Sequence, residues 1–550
     1  MSCIARRAPF TAVVFAAALL MVPSSLAQAQ QSIVEAAAVN PAPAPAANTE
    51  VEGTAEVGGA AEVGGAAELE STAAPVPPPV LDSPSVSPAG TLHCGCHHHC
   101  CCSKQDKAAA MAAMRGAYKG VFYANDYSYL NDPCYDGPSF CGDSLKGLCD
   151  GKLDLGGEFR VRYHDEDGIR RAGLTGVDDN FWLTRYRLFA NYRFNDTFRF
   201  YGEYLYADSA GERVENRPIE ENRGEAQNLF LDIKLLDGEH GKLIGRFGRQ
   251  ELLFGDQRLV SPLDWANTRR TFDGYRGTWT KGKYTLDGFY VNPLNRDAAH
   301  EGRWDSTNDD VHFYGAYLSN KDHWLGTVDR YYLGLTNEAL DFDYHTIGSR
   351  VVGTGWHNIQ YVYEGGFQFG TNSPGFGDHD AGYATGGLGK KLSIAGHKPM
   401  LWFWYDYASG GNDFPAARGD DSFDHLFPLA HKYLGFMDLF GRRNIHDLNV
   451  QYIMPLHDKV SLLLWYHYFM LDEKTTPYSV TMAPYNNVAA AEDRELGHEI
   501  DVLFNITLNA RNNVLLGYSH FNAGDYYDLT PGVQSNADAD FFYFQYQSRF

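Results

Sequence analysis

Leu153-Asp-Leu-Gly-Gly-Glu-Phe-Arg-Val-Arg-Tyr163 decides the fold. Leu153, Leu155, Gly157, Phe159, Val161 and Tyr163 fall on one face, while Glu158, Arg160 and Arg162 fall on the other. A period of two marks an extended strand with one apolar and one polar side. Downstream, Phe181-Trp-Leu-Thr-Arg-Tyr-Arg-Leu-Phe-Ala-Asn-Tyr-Arg-Phe194 repeats the pattern. There Trp182, Thr184, Tyr186, Leu188, Ala190 and Tyr192 point one way, and Arg185, Arg187 and Arg193 the other. Further segments follow at about 197–208, 225–236, 241–250 and 271–281 and continue to 540–550, eighteen in all.

The links between these segments alternate. Those at 195–196, 237–240, 281–282, 353–355, 457–458 and 509–512 are short; those at 165–180, 209–224, 251–270, 292–309, 409–445, 472–495 and 523–539 are long. Only the link at 338–341 is short where a long one is due. An even strand count with tight turns at one end and long loops at the other predicts an 18-stranded antiparallel transmembrane β-barrel over 152–550 in the cell outer membrane. Phe542, Phe544, Tyr546 and the terminal Phe550 resemble the signal read by the outer-membrane barrel assembly machinery, which is therefore an expected partner along with outer-membrane lipid.

Composition agrees with this. The 550 residues include 56 Gly, 35 Tyr and 33 Phe, and the mean hydropathy is −0.37, as expected where strands hide their apolar character in alternate positions. No internal apolar run approaches the roughly 20 residues of a membrane-spanning helix. With 46 Lys and Arg against 69 Asp and Glu, the net charge of −23 argues against a nucleic-acid partner.

The first 151 residues read differently. Residues 1–29 resemble a secretory signal peptide: Arg6 and Arg7 precede an apolar stretch, Phe10 to Val22, and Ala27-Gln28-Ala29 offers a cleavage site. Residues 30–92 are Ala, Pro, Glu, Val and Gly, a composition that predicts a disordered periplasmic linker. At 93–103 lie five cysteines and four histidines within ten residues. Cys94, Cys96, His97, His99 and Cys100 are candidate ligands for zinc or copper. Disulfide formation competes for the same sulfurs outside the cytoplasm; without Cys3, eight cysteines remain, among them Cys134, Cys141 and Cys149. No other cofactor is expected. Residues 104–151 combine a short Ala-rich helix with an irregular aromatic stretch that either docks on the barrel or plugs it.

Because a charge facing mid-bilayer costs roughly 2–4 kcal/mol, the polar faces should line the lumen. Arg160, Arg162, Arg185, Arg187 and Arg246 then form one arginine wall, which favours carboxylated solutes through paired hydrogen bonds. The competing reading is that Glu158, Glu203 and Asp232 neutralise those arginines across strands.

A sharper signal lies at Gly248-Arg-Gln-Glu-Leu-Leu-Phe-Gly-Asp-Gln-Arg-Leu-Val260, followed by Trp265-Ala-Asn267 and Arg269-Arg-Thr-Phe-Asp-Gly274. This resembles the signature of the alginate-export family of outer-membrane porins across roughly 152–550. The resemblance implies an eighteen-stranded barrel that conducts an anionic polysaccharide past lumenal cations. It also implies Arg249, Arg258, Arg269 and Arg270 as a cationic constriction at an infolded loop, steadied by Asp256 and Asp273. A purely structural loop lock is the alternative for the same residues. The linker and the Cys/His cluster lie outside the family pattern. The expected function is passive passage of a uronate-type polysaccharide or related carboxylated solute. Alternatives are a general porin for small anions or sugars and a structural envelope barrel. An enzyme is not expected, because His446, His467, His498 and His520 are scattered without a nucleophile or acid–base constellation.

Overall fold

In the first strand Glu158, Arg160, Arg162, His164 and Glu166 are buried, while Phe159, Val161 and Tyr163 between them are partly exposed. The computed structural model thus turns the polar face inward. It describes residues 102–550 except 171–173, 297–302, 395, 412–420, 486–489 and 534–537. The sequence readings for 1–29 and 30–92, and the candidate ligands Cys94, Cys96, His97, His99 and Cys100, lie outside the described residues.

The strands are β1 (Leu153–Asp167), β2 (Asp179–Arg193), β3 (Phe198–Ala210), β4 (Asn222–Gly238), β5 (Gly241–Gln250), β6 (Phe272–Lys281), β7 (Tyr284–Asn295), β8 (Ser306–Thr307), β9 (Val311–His323), β10 (Gly326–Asn337), β11 (Phe342–Thr354), β12 (Ile359–Thr371), β13 (Asp378–Lys391), β14 (Met400–Ala408), β15 (Ile445–His457), β16 (Val460–Met470), β17 (Glu495–Asn509), β18 (Asn512–Ala523) and β19 (Ala539–Arg549). β8 is a two-residue ribbon on the end of β7, and β7 pairs directly with β9. The remaining eighteen strands pair antiparallel with their sequence neighbours. β1 closes the ring on β19, with Glu158 opposite Arg549 and Tyr163 opposite Phe544. Closure removes every sheet edge, so the backbone polar groups are satisfied inside the wall, as a bilayer demands.

Outward faces carry Trp182, Tyr204, Tyr275, Ile347, Tyr363, Phe367, Leu388, Phe403 and Ile500, all well exposed. Such a continuous apolar surface belongs in lipid. Trp324 and Trp356 stand in the short turns at one end, 85% and 82% exposed, where an aromatic girdle meets the membrane interface. Both ends of the barrel segment lie at this same end, which is the periplasmic one. The link at 338–341 is a four-residue connection between β10 and β11, so one external loop is short.

The lumen departs from expectation. Its lining is not uniformly polar: Phe181, Leu183, Phe189, Tyr201 and Phe230 point inward and are buried. Long loops and the segment preceding β1 enter the barrel with apolar side chains of their own, and these wall residues pack against them. One cluster joins Trp265, Phe427, Leu434, Phe436 and Phe440 to the wall residues Phe313, Leu463, Phe521 and Phe541.

Upstream of the barrel, the helix Lys104–Arg115 begins at a Ser103–Asp106 capping box. Short 3₁₀ turns follow at Phe122–Ala124 and Ser128–Asn131. Cys102 and Cys134 form a disulfide across this segment, and Cys141 is free and exposed.

Candidate functional site

The site is built on an opposition in the β1–β2 ladder. Arg160 and Arg185 are direct cross-strand partners, and Glu158 faces Arg187 one step along. Like charges directly opposite destabilise a sheet pair. Relief comes from the loop of residues 251–271, which leaves the external end of β5 and folds into the lumen. The Asp264 carbonyl accepts from Arg160 at 2.7 Å and from Arg185 at 2.9 Å. The Ala266 carbonyl accepts from the same two residues at 3.0 and 3.1 Å. Arg162 donates to the Trp265 carbonyl at 3.1 Å, and its guanidinium lies 3.4 Å over the Trp265 ring. Asn267 then fastens the loop to backbone carbonyls of Thr184, Asp208 and Glu220 at 3.0, 3.1 and 3.0 Å.

Glycine is required at several points in the signature, two of them around the start of the infolded loop. Gly248 sits at φ 123°, where a Cβ would lie 2.4 Å from the Leu229 carbonyl; Gly255 sits at φ 53°, where a Cβ would lie 2.5 Å from the Tyr317 hydroxyl. Gln257, Leu263 and Arg269 also adopt left-handed backbone, at φ 68°, 56° and 57°. Such conformations persist only where surrounding contacts over-determine them.

The remaining arginines, Arg270 apart, are bound to acids. Arg187 donates to Glu203 at 2.6 Å, and Arg246 reaches both oxygens of Asp232 at 2.7 and 3.0 Å. Arg249 pairs with Glu225 and takes Asp273 in a two-point grip at 2.9 Å. Arg258 donates to Glu364 at 3.0 Å and lies 3.5 Å from Asp256, which itself pairs with Arg350 at 2.7 Å. Arg269 is fully buried between Glu251 and Asp264, and Arg270 donates to the Pro428 carbonyl at 3.1 Å. Arg160 and Arg162 differ from the acid-bound arginines: their hydrogen bonds all end on neutral oxygens, those of the loop carbonyls, Asn267 and Gln545. Burial acts to raise the Asp264 carboxyl, but the guanidiniums of Arg269, Arg185 and Arg160 outweigh it and hold the group well below the usual carboxylate range.

A second long loop braces the first from the opposite wall. Phe427 and Val260 form a parallel bridge, with Ser261 N–H donating to the Phe427 carbonyl at 2.8 Å and Phe427 N–H to that of Leu259 at 2.9 Å. His431 stacks on Trp265 at 4.2 Å. Burial pushes the His425 imidazole down to about 3, against a smaller opposing pull from Asp424.

Asp264 and Glu251 are ion-pair partners of these arginines that sequence reasoning missed. Asp264 stands just before the Trp265-Ala-Asn267 part of the signature, outside the residues that carry the resemblance. Among the described residues no group of three or more His, Cys, Asp or Glu side chains is placed to hold a metal ion.

Comparisons with known proteins complete the description. The family model described as alginate export matches residues 151–539. Among solved structures, Pseudomonas aeruginosa OccK8 (OprE) is similar at 14% identity and TM-score 0.48, over 72% of this chain and 98% of that one. Pseudomonas aeruginosa OccD3 (OpdP) is similar at 11% identity and TM-score 0.47, over 72% and 91%. Acinetobacter baumannii OccAB1 matches at 11% and 0.47, over 72% and 96%. No curated protein sequence matches the chain. The family match covers most of the chain and the barrel wall up to the start of the last strand, and with it this chain belongs to the alginate export family, as an outer-membrane channel.

Proposed function

We propose that the barrel passes an anionic, uronate-type polysaccharide or a related carboxylated solute by passive diffusion along its arginine wall. The observation that carries this reading is the pair Arg160 and Arg162, whose side-chain hydrogen bonds all go to neutral oxygens, with the Asp264 carboxylate acting on Arg160 without a hydrogen bond to it. Two guanidiniums with no hydrogen bond to a carboxylate bias this side of the lumen toward anions, and guanidinium groups pair with carboxylates through two parallel hydrogen bonds. Residues 251–271 latch onto these arginines, so the loop and the cargo draw on the same donors.

A second reading, a porin for small anions or sugars, is favoured by the bridge between Val260 and Phe427, which spans the lumen from opposite walls and narrows it. Reversal potentials in planar bilayers test the shared premise. Anion preference that falls in Arg160→Gln/Arg162→Gln supports the arginine wall, and a cation-selective pore rejects it. Block by oligogalacturonate but not by a neutral oligosaccharide of equal length favours the polymer; equal block favours the general porin.

A further inference from the structure

Residues 117–126 form a finger. The Asp126 N–H donates to the Ala117 carbonyl at 2.9 Å and the Lys119 N–H to Asn125 Oδ1 at 2.8 Å, closing its base. The base is rooted at the periplasmic turn between β17 and β18, where Arg511 donates to the Met114 carbonyl at 3.2 Å and to the Tyr129 hydroxyl at 2.7 Å. The tip, Val121, Phe122 and Tyr123, is buried in the lumen.

What the tip touches is the arginine wall. Arg269 donates to the Gly120 carbonyl at 2.9 Å, and Arg199 to that of Tyr123 at 2.5 Å. The Arg187 guanidinium lies 3.8 Å from the centre of the Phe122 ring, and that of Arg246 lies 4.1 Å from the Tyr123 ring. The Tyr123 hydroxyl donates to the Glu251 carbonyl at 2.9 Å, tying the finger to the start of the infolded loop. Arg246 Nη1, buried beside these rings, has no hydrogen-bond partner.

Each of these arginines also holds an acid of the wall or loop, and what the finger adds is neutral: two carbonyl oxygens and two ring faces, beside the open donor Arg246 Nη1. Hydrogen bonds to a carboxylate are roughly twice as strong as those to a neutral acceptor. A finger of this kind holds the site when it is empty and yields to an anion. We propose that Gly120–Tyr123 is a tethered stopper that occupies, from the periplasmic side, the arginine pocket a carboxylated cargo would use. This rests on the channel reading above and adds to it a gate that the cargo itself displaces.

Single-channel recording of the full chain tests the stopper. Phe122→Ala/Tyr123→Ala should raise the open fraction or the conductance at least two-fold over wild type. Gly120→Cys/Leu253→Cys provides the converse, because a Cβ at Gly120 would lie 3.3 Å from Leu253 Cδ1; cross-linked, it should stay shut when oligogalacturonate is added on the periplasmic side, while wild type opens. An alanine pair that folds and conducts like wild type overturns the stopper and leaves the channel standing. If that variant does not fold, a cross-linked pair that opens like wild type overturns it instead. Silence from every variant, wild type included, overturns the channel and the stopper together.

Discussion

Arg160 and Arg185 face each other across the β1–β2 ladder and donate to the same two carbonyl oxygens, those of Asp264 and Ala266. Glu158 of the wall takes Arg185 at 2.5 Å, and partners for the opposed Arg160 come from the lumen. The infolded loop supplies two shared carbonyls and, at 2.8 Å from Arg185, the Asp264 carboxylate.

Removing that carboxylate should release the loop. Asp264→Ala leaves Arg185 and Arg269 buried without the anion they share, a loss of about 3–5 kcal/mol for a broken buried pair. Trypsin cleavage within 251–271 should accelerate while the barrel keeps its heat-dependent gel mobility. Cleavage at the wild-type rate would show that the carbonyls alone hold the loop.

Trp265 carries the apolar half of the latch, sandwiched between Arg162 at 3.4 Å and His431 at 4.2 Å. Trp265→Ala should cost about 3–5 kcal/mol. Urea titration followed by the remaining tryptophans should show a lower midpoint, and Trp265→Phe should recover part of the difference.

Acid should loosen the braced loops. The folded-state value of His425 is depressed to about 3 from an unfolded value near 6.5, so the unfolded chain binds more protons between those limits. Its contribution is therefore fully present above about pH 6.5 and is lost progressively as pH falls toward 3, amounting to about 2 kcal/mol by pH 5. Neutral His425 is also what the structure requires, since its Nδ1 accepts from the Arg442 N–H at 3.4 Å. Protease protection of residues 421–444 should weaken from pH 7 to pH 5, and His425→Gln should flatten that slope.

The disulfide between Cys102 and Cys134 closes a loop with a sequence separation of 32. A cross-link of that span restricts the unfolded segment by about 3–4 kcal/mol. In Cys134→Ser, hydrogen exchange over the helix Lys104–Arg115 should speed up markedly, with exchange in β1 unchanged. Faster exchange throughout the barrel would instead make the segment part of the barrel's own cooperative unit.

The wall was legible residue by residue because its signal is local. Alternation at Leu153–Tyr163 and the rhythm of short and long links both follow from a period of two and from a closed ring, and neither needs a distant contact. Assignment of Arg160, Arg162, Arg185, Arg187 and Arg246 to the lumen side followed from the same alternation, and all five are buried there. Their cross-strand acids were legible as the competing reading, and Glu158 takes Arg185, Glu203 takes Arg187 and Asp232 takes Arg246; what the loops and the finger add to them was not. Asp264 lies 79 residues from Arg185, and Tyr123 lies 128 from Glu251. Neither spacing carries a period or motif.

Sequence alone therefore determined the closed ring, its inward charge and its family signature, since each is written in neighbouring residues under the single constraint that lipid tolerates no unpaired backbone and no bare charge. Only the tertiary structure decided that the lumen is furnished with two bridged loops and a finger whose carbonyls and rings occupy the arginines. Those contacts join segments whose meeting depends on how long loops fold back through the ring, and the free energy that selects such a path resides in the assembled pocket rather than in either partner.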